Sequence, residues 1–210
     1  MNNQTNSQSV LAALRALVPQ RPLSHAESLR IAELQANRLL ELSRIAGPLV
    51  PTELVSDVPK IRIAFDNDLP ISGSAHWESG QWILTLNGTE PASRQRFSLM
   101  HEFKHVLDHT TKQFLYGETT SDQEAARRAE RAADHFAACV LMPKRWLKSL
   151  WFNSGQNINA VAGQLEVSPR ALAVRLWHLG LGVETKRCAP TKDLEARRTI
   201  NAPRTTGVAA

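Results

Sequence analysis

The chain has 210 residues, 42% of them hydrophobic, so it is long enough for a domain with a sizeable core. Its formal net charge is +5 at pH 7, and no apolar run approaches the roughly 20 residues of a membrane helix. The start, MNNQTN, lacks the cationic and apolar regions of a secretory signal, and Cys139 and Cys188 form no C-x-x-C pair. The composition therefore argues against membrane-spanning and disulfide-rich secreted proteins and predicts a cytoplasmic one.

The first part of the chain predicts helices followed by a small sheet. Residues 1–23 have the character of a polar N-terminal arm with one short helix. Ser24 and Glu27 have the spacing of a capping box, which predicts a helix start. Residues 61–65 alternate like a half-buried strand, and residues 71–87 predict a hairpin that turns at a Ser-Gly pair. We expect these strands to form an antiparallel sheet.

The most informative motif is H-E-x-x-H at residues 101–105. Apolar residues recur around it at helical spacing and predict a helix over Ser93–His109 with Ser93 as its N-cap. On a helix, the side chains of His101 and His105 lie on one face, with Cβ atoms about 5–6 Å apart, so one Zn²⁺ can accept both. Glu102 lies beside them as a general base, and the motif is typical of zinc peptidases. The alternative is a solvated helix face with two ordinary histidines.

A catalytic zinc site usually has a third protein ligand. His109 is near in sequence, but on a continuous helix it lies about 12 Å from His101, so it fits a supporting role in the second shell or a polar helix end. Glu130 is the better candidate, because it shares the small apolar face of a helix predicted over Ser121–Leu141. A carboxylate buried there needs a charged partner or a metal. Asp134, one turn later, could hold a ligand histidine in one tautomer.

Other roles for Glu130 and other metals stay open at this point. Glu130 could instead pair with Arg127 or Arg131 at the surface. Two histidines and one carboxylate also suit Mn²⁺ or Fe²⁺.

Two segments of the chain form a combined pattern: RQRFSLMHEFKH at residues 94–105 and AERAADHFAACVLMP at residues 129–143. Together they resemble the ImmA/IrrE family of metallopeptidases, and the resemblance extends over about residues 61–182. It implies that His101, His105 and Glu130 bind one Zn²⁺ per chain and that Glu102 is the catalytic glutamate. One departure is Lys104, which stands where the family commonly has a small residue.

The resemblance also implies an activity and a partner. We expect a zinc-dependent endopeptidase that cleaves a protein substrate, a helix-turn-helix transcriptional repressor, and so relieves repression. Tyr116 or His109 could stabilise the oxyanion. The alternatives are a non-cleaving antirepressor or antitoxin-like binding protein that retains zinc, and a DNA-binding regulator.

One strand is a candidate for substrate binding. It comprises Trp82, Ile83, Leu84, Thr85, Leu86 and Asn87, immediately before the helix of the motif. At a sheet edge it could hold an extended peptide through main-chain hydrogen bonds. An interior strand with no free edge is an equal alternative.

The C-terminal part predicts two short helices over residues 157–182, the second capped by Ser168 and opened by Pro169. Such a pair resembles a helix-turn-helix, in which Arg170 and Arg175 would contact DNA. We favour a packing unit instead, because the second helix has few polar residues that could read bases. DNA thus remains a partner that is not favoured.

The predicted fold class is α+β and zincin-like: helices with a small antiparallel sheet, plus a C-terminal helix-turn-helix-like unit. The predicted division is an N-terminal arm (1–23), a metallopeptidase domain (24–150), a helical unit (151–184) and a flexible basic tail (185–210). The tail carries six lysines and arginines against two acids.

Overall fold

A computed structural model describes residues 4–117 and 121–182, with side chains from residue 10 onward. The predicted tail at 185–210 lies outside these residues. Within them the fold is α+β, with nine helices and three strands. The helices are α1 Gln4–Arg15, α2 His25–Leu42, α3 Glu53–Ser56, α4 Ala92–Asp108, α5 Lys112–Tyr116, α6 Asp122–Leu141, α7 Lys144–Asn153, α8 Ile158–Leu165 and α9 Pro169–His178, and the strands are β1 Ile61–Asp66, β2 Gly73–Glu78 and β3 Gln81–Asn87. None of these helices could cross a membrane.

The sheet has the order β1-β3-β2 and is mixed. The predicted hairpin is present: β2 pairs antiparallel with β3, and Ser79 and Gly80 both adopt positive φ in the turn, as tight hairpin turns require. However, β1 pairs parallel with β3, so the prediction of an antiparallel sheet is wrong for this strand. An alternating pattern predicts that a segment is a strand, but it does not determine the direction in which the strand pairs.

The candidate substrate strand, β3, is the central strand of the sheet. Each of its residues from Trp82 to Leu86 has a partner on both neighbouring strands. Its main chain therefore has no free edge, so the substrate-strand hypothesis is wrong for β3 and the interior-strand alternative is confirmed. The outer strands are β1 and β2.

Helices α2, α4 and α6 surround the main core, which lies against one face of the sheet. The segment predicted as a loose arm also contributes to packing, because Leu14 and Leu23 are buried. Arg15 donates two hydrogen bonds, each 3.0 Å, to the carbonyl oxygens of Val106 and Leu107 in the last turn of α4. Carbonyls in the last turn of a helix lack their i+4 backbone donor, so the arginine supplies one here, although Val106 also accepts a longer bond, 3.4 Å, from the backbone N–H of His109.

Two of the helix starts agree with the sequence, and one differs. The capping box at Ser24 is present, and Ser168 caps α9 with Pro169 in its first turn. By contrast, α4 begins at Ala92 after Pro91, so Ser93 lies inside its first turn and is not the N-cap.

Helices α8 and α9 pack into the main core through Val161, Leu172 and Leu176. Arg175 is only 2% exposed, and its Nε donates to the carbonyl oxygen of Met142. A buried arginine that completes the end of α6 cannot contact DNA, whereas Arg170 is exposed. The arrangement favours the packing interpretation of this helical pair.

Candidate metal centre

The two histidines of the motif face each other from successive turns of α4. The Nε2 atoms of His101 and His105 are 3.0 Å apart, and the ring centroids are 4.8 Å apart. Both rings are largely covered, with 16% and 21% of each side chain exposed. The spacing of four residues places both imidazoles on one face of the helix, as the motif predicts.

Glu130 reaches the same point from α6. Its Oε2 lies 3.1 Å from Nε2 of His101, and its Oε1 lies 3.3 Å from Nε2 of His105. The side chain is nevertheless 61% exposed, so the buried face assumed for it is wrong at this position. Its place in the cluster follows from the packing of α6 on α4 through Phe103 and Phe136, whose rings lie 6.1 Å apart.

The donor atoms of this cluster fit a divalent metal. Ligands that bind one tetrahedral zinc at about 2.0–2.1 Å are separated from each other by about 3.3 Å. The three separations here are 3.0, 3.1 and 3.3 Å. When both Nε2 atoms are unprotonated, their lone pairs and the Glu130 carboxylate repel each other unless a cation lies between them. His101, His105 and Glu130 could therefore hold a metal ion.

Asp134 lies where a supporting carboxylate is needed. Its Oδ1 is 2.9 Å from Nδ1 of His101. When Nδ1–H of His101 donates to this carboxylate, its Nε2 is left with a free lone pair that faces Glu130 and His105. In this tautomer Nε2 of His101 could bind a metal ion.

The electrostatics of the two rings differ. Burial disfavours the charged form of His101, but the hydrogen bond and charge of Asp134, with smaller contributions from Glu130 and Glu102, raise its pKa overall. Burial, and then the positive charge on His101, lower the pKa of His105 to about 4. The lowered pKa favours the neutral form of His105, the form that a metal ligand needs.

Glu102 lies beside the cluster and is half-buried. Burial raises the pKa of Glu102, although the nearby His101 works in the opposite direction. A carboxylate whose pKa moves toward neutrality suits a general base. A Cβ built on Gly73, the first residue of β2, would lie 3.1 Å from Cγ of Glu102, so the edge of the sheet begins next to this carboxylate.

A second charged group lies inside the fold on the same helix. Lys104 is fully buried and donates to both carboxylate oxygens of Asp108, one turn later on α4. The hydroxyl of Tyr116 donates to the same carboxylate at 2.5 Å. Sequence reasoning missed this network, although opposite charges four residues apart on a helix were a signal for it.

The structure does not support Tyr116 as an oxyanion stabiliser. Its side chain is buried, its hydroxyl is used by Asp108, and burial raises its pKa far above the ordinary value. His109 follows α4 and is exposed, with its ring 5.0 Å from that of Trp82. It lies outside the donor cluster, as the helix geometry predicts, and fits the polar helix end.

Comparisons with known proteins agree with this arrangement. A solved structure, a Mycobacterium tuberculosis transcriptional regulator, superposes with a TM-score of 0.60 at 15% identity, over 85% of this chain and 53% of that chain. At this identity the likeness shows a shared fold, and the chain spans about half the length of that regulator. No curated protein matches the chain significantly. The family model described as IrrE N-terminal-like domain (Peptidase_M78) matches residues 57–177, more than half of the chain. Because that match contains both histidines, Glu102 and Glu130, we conclude that the chain belongs to this family, the ImmA/IrrE metallopeptidases.

Proposed function

We propose that the protein is a zinc-dependent endopeptidase with a zincin-like active site. The observation that carries the proposal is the convergence of Nε2 of His101, Nε2 of His105 and the Glu130 carboxylate within 3.0–3.3 Å, with Glu102 alongside. Three protein donors leave one coordination position, which is typical of catalytic zinc, whereas structural zinc usually has four protein ligands.

Zinc in this site would supply a Lewis acid that polarises a peptide carbonyl and favours ionisation of water. The residues of the chain do the rest. Glu102 accepts a proton from the attacking water and then donates it to the leaving amine. Asp134 keeps His101 in the tautomer whose lone pair faces the site.

The free edge of β2 is a better place than β3 for an extended substrate to bind. It is an outer strand, and its first residue, Gly73, lies against Glu102. A peptide that added to this edge through main-chain hydrogen bonds would pass close to Glu102. This reassigns the substrate strand from β3, which has no free edge, to β2.

We further propose that the substrate is a protein, in particular a helix-turn-helix transcriptional repressor. The family resemblance supports this, and the structural neighbour is a transcriptional regulator. Such a substrate also fits the cytoplasmic location that the sequence predicts.

Cleavage of a repressor encoded next to this protein is the direct test. We expect new fragments with zinc and none after a chelator has removed the metal. Glu102→Gln should keep the metal but lower the cleavage rate by about 10²–10⁴-fold, the usual contribution of a general base. Equal cleavage by Glu102→Gln would rule out the general-base role.

The alternative is a zinc-containing antirepressor that binds without cutting. The same experiment separates the two, because dissociation of the repressor from its operator without new fragments would support binding alone. Direct DNA binding is less well supported, since Arg175 is buried. If DNA binding occurred, it would show as a steeply salt-dependent affinity for duplex DNA.

A further inference from the structure

Three aromatic rings form a connected group at one end of the sheet edge. We call Trp77, Trp82 and His109 the aromatic cluster. The Trp77 and Trp82 rings are 5.6 Å apart and nearly perpendicular, and the Trp82 and His109 rings are 5.0 Å apart. Trp77 is 53% exposed, and His109 is also exposed. Leaving a large indole open to water on an outer strand forgoes the hydrophobic stabilisation that its burial would give.

The aromatic cluster is continuous with the candidate metal centre. On β2, Trp77 is four residues after Gly73, so both residues point to the same face of the sheet, the face where Gly73 meets Glu102. On α4, His109 follows Glu102 by seven residues, almost two full turns, so both lie on the same side of the helix. Strand and helix therefore run side by side from Glu102 to the aromatic cluster.

This geometry gives a distance between Glu102 and the aromatic cluster along α4. Seven residues at 1.5 Å each separate Glu102 from His109 by about 10 Å along the axis of α4. An extended peptide advances about 3.3 Å per residue, so about 10 Å corresponds to three residues. Antiparallel pairing with β2, the commoner arrangement, puts the third residue on the N-terminal side of the cleaved bond.

We infer that the aromatic cluster is a substrate subsite that selects a large apolar side chain about three residues from the cleaved bond. This inference rests on the proposed endopeptidase function and on β2 as the strand that holds the substrate. The occupant is an aromatic or large aliphatic side chain, because the two indole faces offer apolar area and favourable ring contacts. The cluster thus contributes specificity, while the donor cluster and Glu102 contribute the chemistry.

A peptide library tests the inference on the full-length, zinc-loaded protein. The probe is a positional-scanning set of capped ten-residue peptides, with cleavage sites read by mass spectrometry. We expect enrichment of Phe, Trp or Leu at one position about three residues from the cut. In Trp77→Ala, kcat/KM for a peptide with Phe there should fall about tenfold, mainly through KM, and the ratio of kcat/KM between the Phe peptide and the matched Ala peptide should fall toward one.

Two control variants accompany Trp77→Ala. Phe65→Ala removes a similarly exposed aromatic ring from β1, the opposite outer strand, and should leave the preference unchanged. Trp77→Phe should retain most of the preference. An unchanged preference in Trp77→Ala, or the same loss in Phe65→Ala, would overturn the subsite.

Failure of the subsite and failure of the proposed function are distinguishable. If the wild-type protein cuts no peptide, the endopeptidase proposal fails, and the subsite is then judged by binding. Fluorescence anisotropy with labelled Phe and Ala peptides should show about tenfold tighter binding of the Phe peptide to the wild-type protein, and no difference for Trp77→Ala. Equal binding of both peptides by the wild-type protein would contradict the inference.

Discussion

Lys104 is the residue that distinguishes this motif helix. A lysine with no exposed surface must bury a charge, and burial alone lowers its pKa, while Asp108 offsets that effect. The carboxylate of Asp108 accepts hydrogen bonds from both Lys104 and Tyr116, so the pair is well satisfied. Buried pairs of this kind add little compared with apolar side chains, but losing one partner leaves an uncompensated charge.

Lys104→Met should therefore destabilise the protein. We expect the free energy of unfolding to fall by about 3–5 kcal/mol, measured by urea denaturation, because Asp108 would remain charged inside the core. Adding Asp108→Asn removes that charge and keeps an acceptor for Tyr116, so the double variant should recover part of the loss. An unchanged midpoint in Lys104→Met would contradict the buried ion pair.

At the scale of single residues, the sequence predicted which residues form the candidate site better than it predicted their burial and hydrogen-bond partners. The spacing of His101 and His105 determines their positions on the helix, so their convergence followed directly. Glu130 was chosen on an assumption of burial, yet its side chain is mostly exposed and its position depends on how α6 packs on α4. The hydrogen bond from Tyr116 to Asp108 could not be predicted, because it depends on how α5 folds back against the end of α4.

At the scale of the elements, β2 and α4 approach each other closely at Gly73, next to Glu102. This glycine has no positive φ that would require it, so its small size near Glu102 is what matters. An added Cβ at 3.1 Å from Glu102 would force the carboxylate side chain to shift by a few tenths of an ångström.

Gly73→Ala should impair the chemistry and spare the metal. Because catalysis depends on the position of the base, we expect cleavage to slow by about tenfold while zinc content stays the same. Gly47→Ala is the matched control, since nothing lies within 4 Å of a Cβ at that glycine. Reduced cleavage in both variants, or in neither, would count against a specific contact between β2 and Glu102.

The elements themselves were largely predictable, but their pairing was not. The segments for α4, α6, β2 and β3 carry clear periodicity, and their observed bounds are close to the predicted ones. β3 is the central strand because β1 pairs with the side of β3 opposite to β2. This pairing joins segments that are distant in sequence, so the local pattern of apolar residues does not predict it.

At the scale of the whole molecule, the core includes residues that lie before the region matched by the family model. The match begins at residue 57, yet α1 and α2 lie before it and bury core residues, among them Leu14, Ala36 and Leu39. Arg15 also completes the end of α4. The helix that carries the H-E-x-x-H motif is therefore supported by a segment outside the matched region, and the predicted arm is part of that support.

A chain without residues 1–56 should fail to fold cooperatively. Removing α1, α2 and α3 exposes the apolar faces of α4 and α6 to water, and the loss of that burial competes with a whole domain stability of only about 5–15 kcal/mol. Thermal unfolding followed by circular dichroism should show a sharp transition for the full chain only. Equal melting of both chains would mean that α1 and α2 are dispensable.

The content of bound metal tests the central claim most directly. The protein purified with zinc should contain about one zinc per chain by elemental analysis, and Glu130→Gln should lose most of it because one of three ligands is gone. Asp122→Asn, which removes another exposed carboxylate from α6, should keep about one zinc per chain. Full zinc occupancy in Glu130→Gln, or none in the wild-type protein, would contradict a metal centre formed by His101, His105 and Glu130.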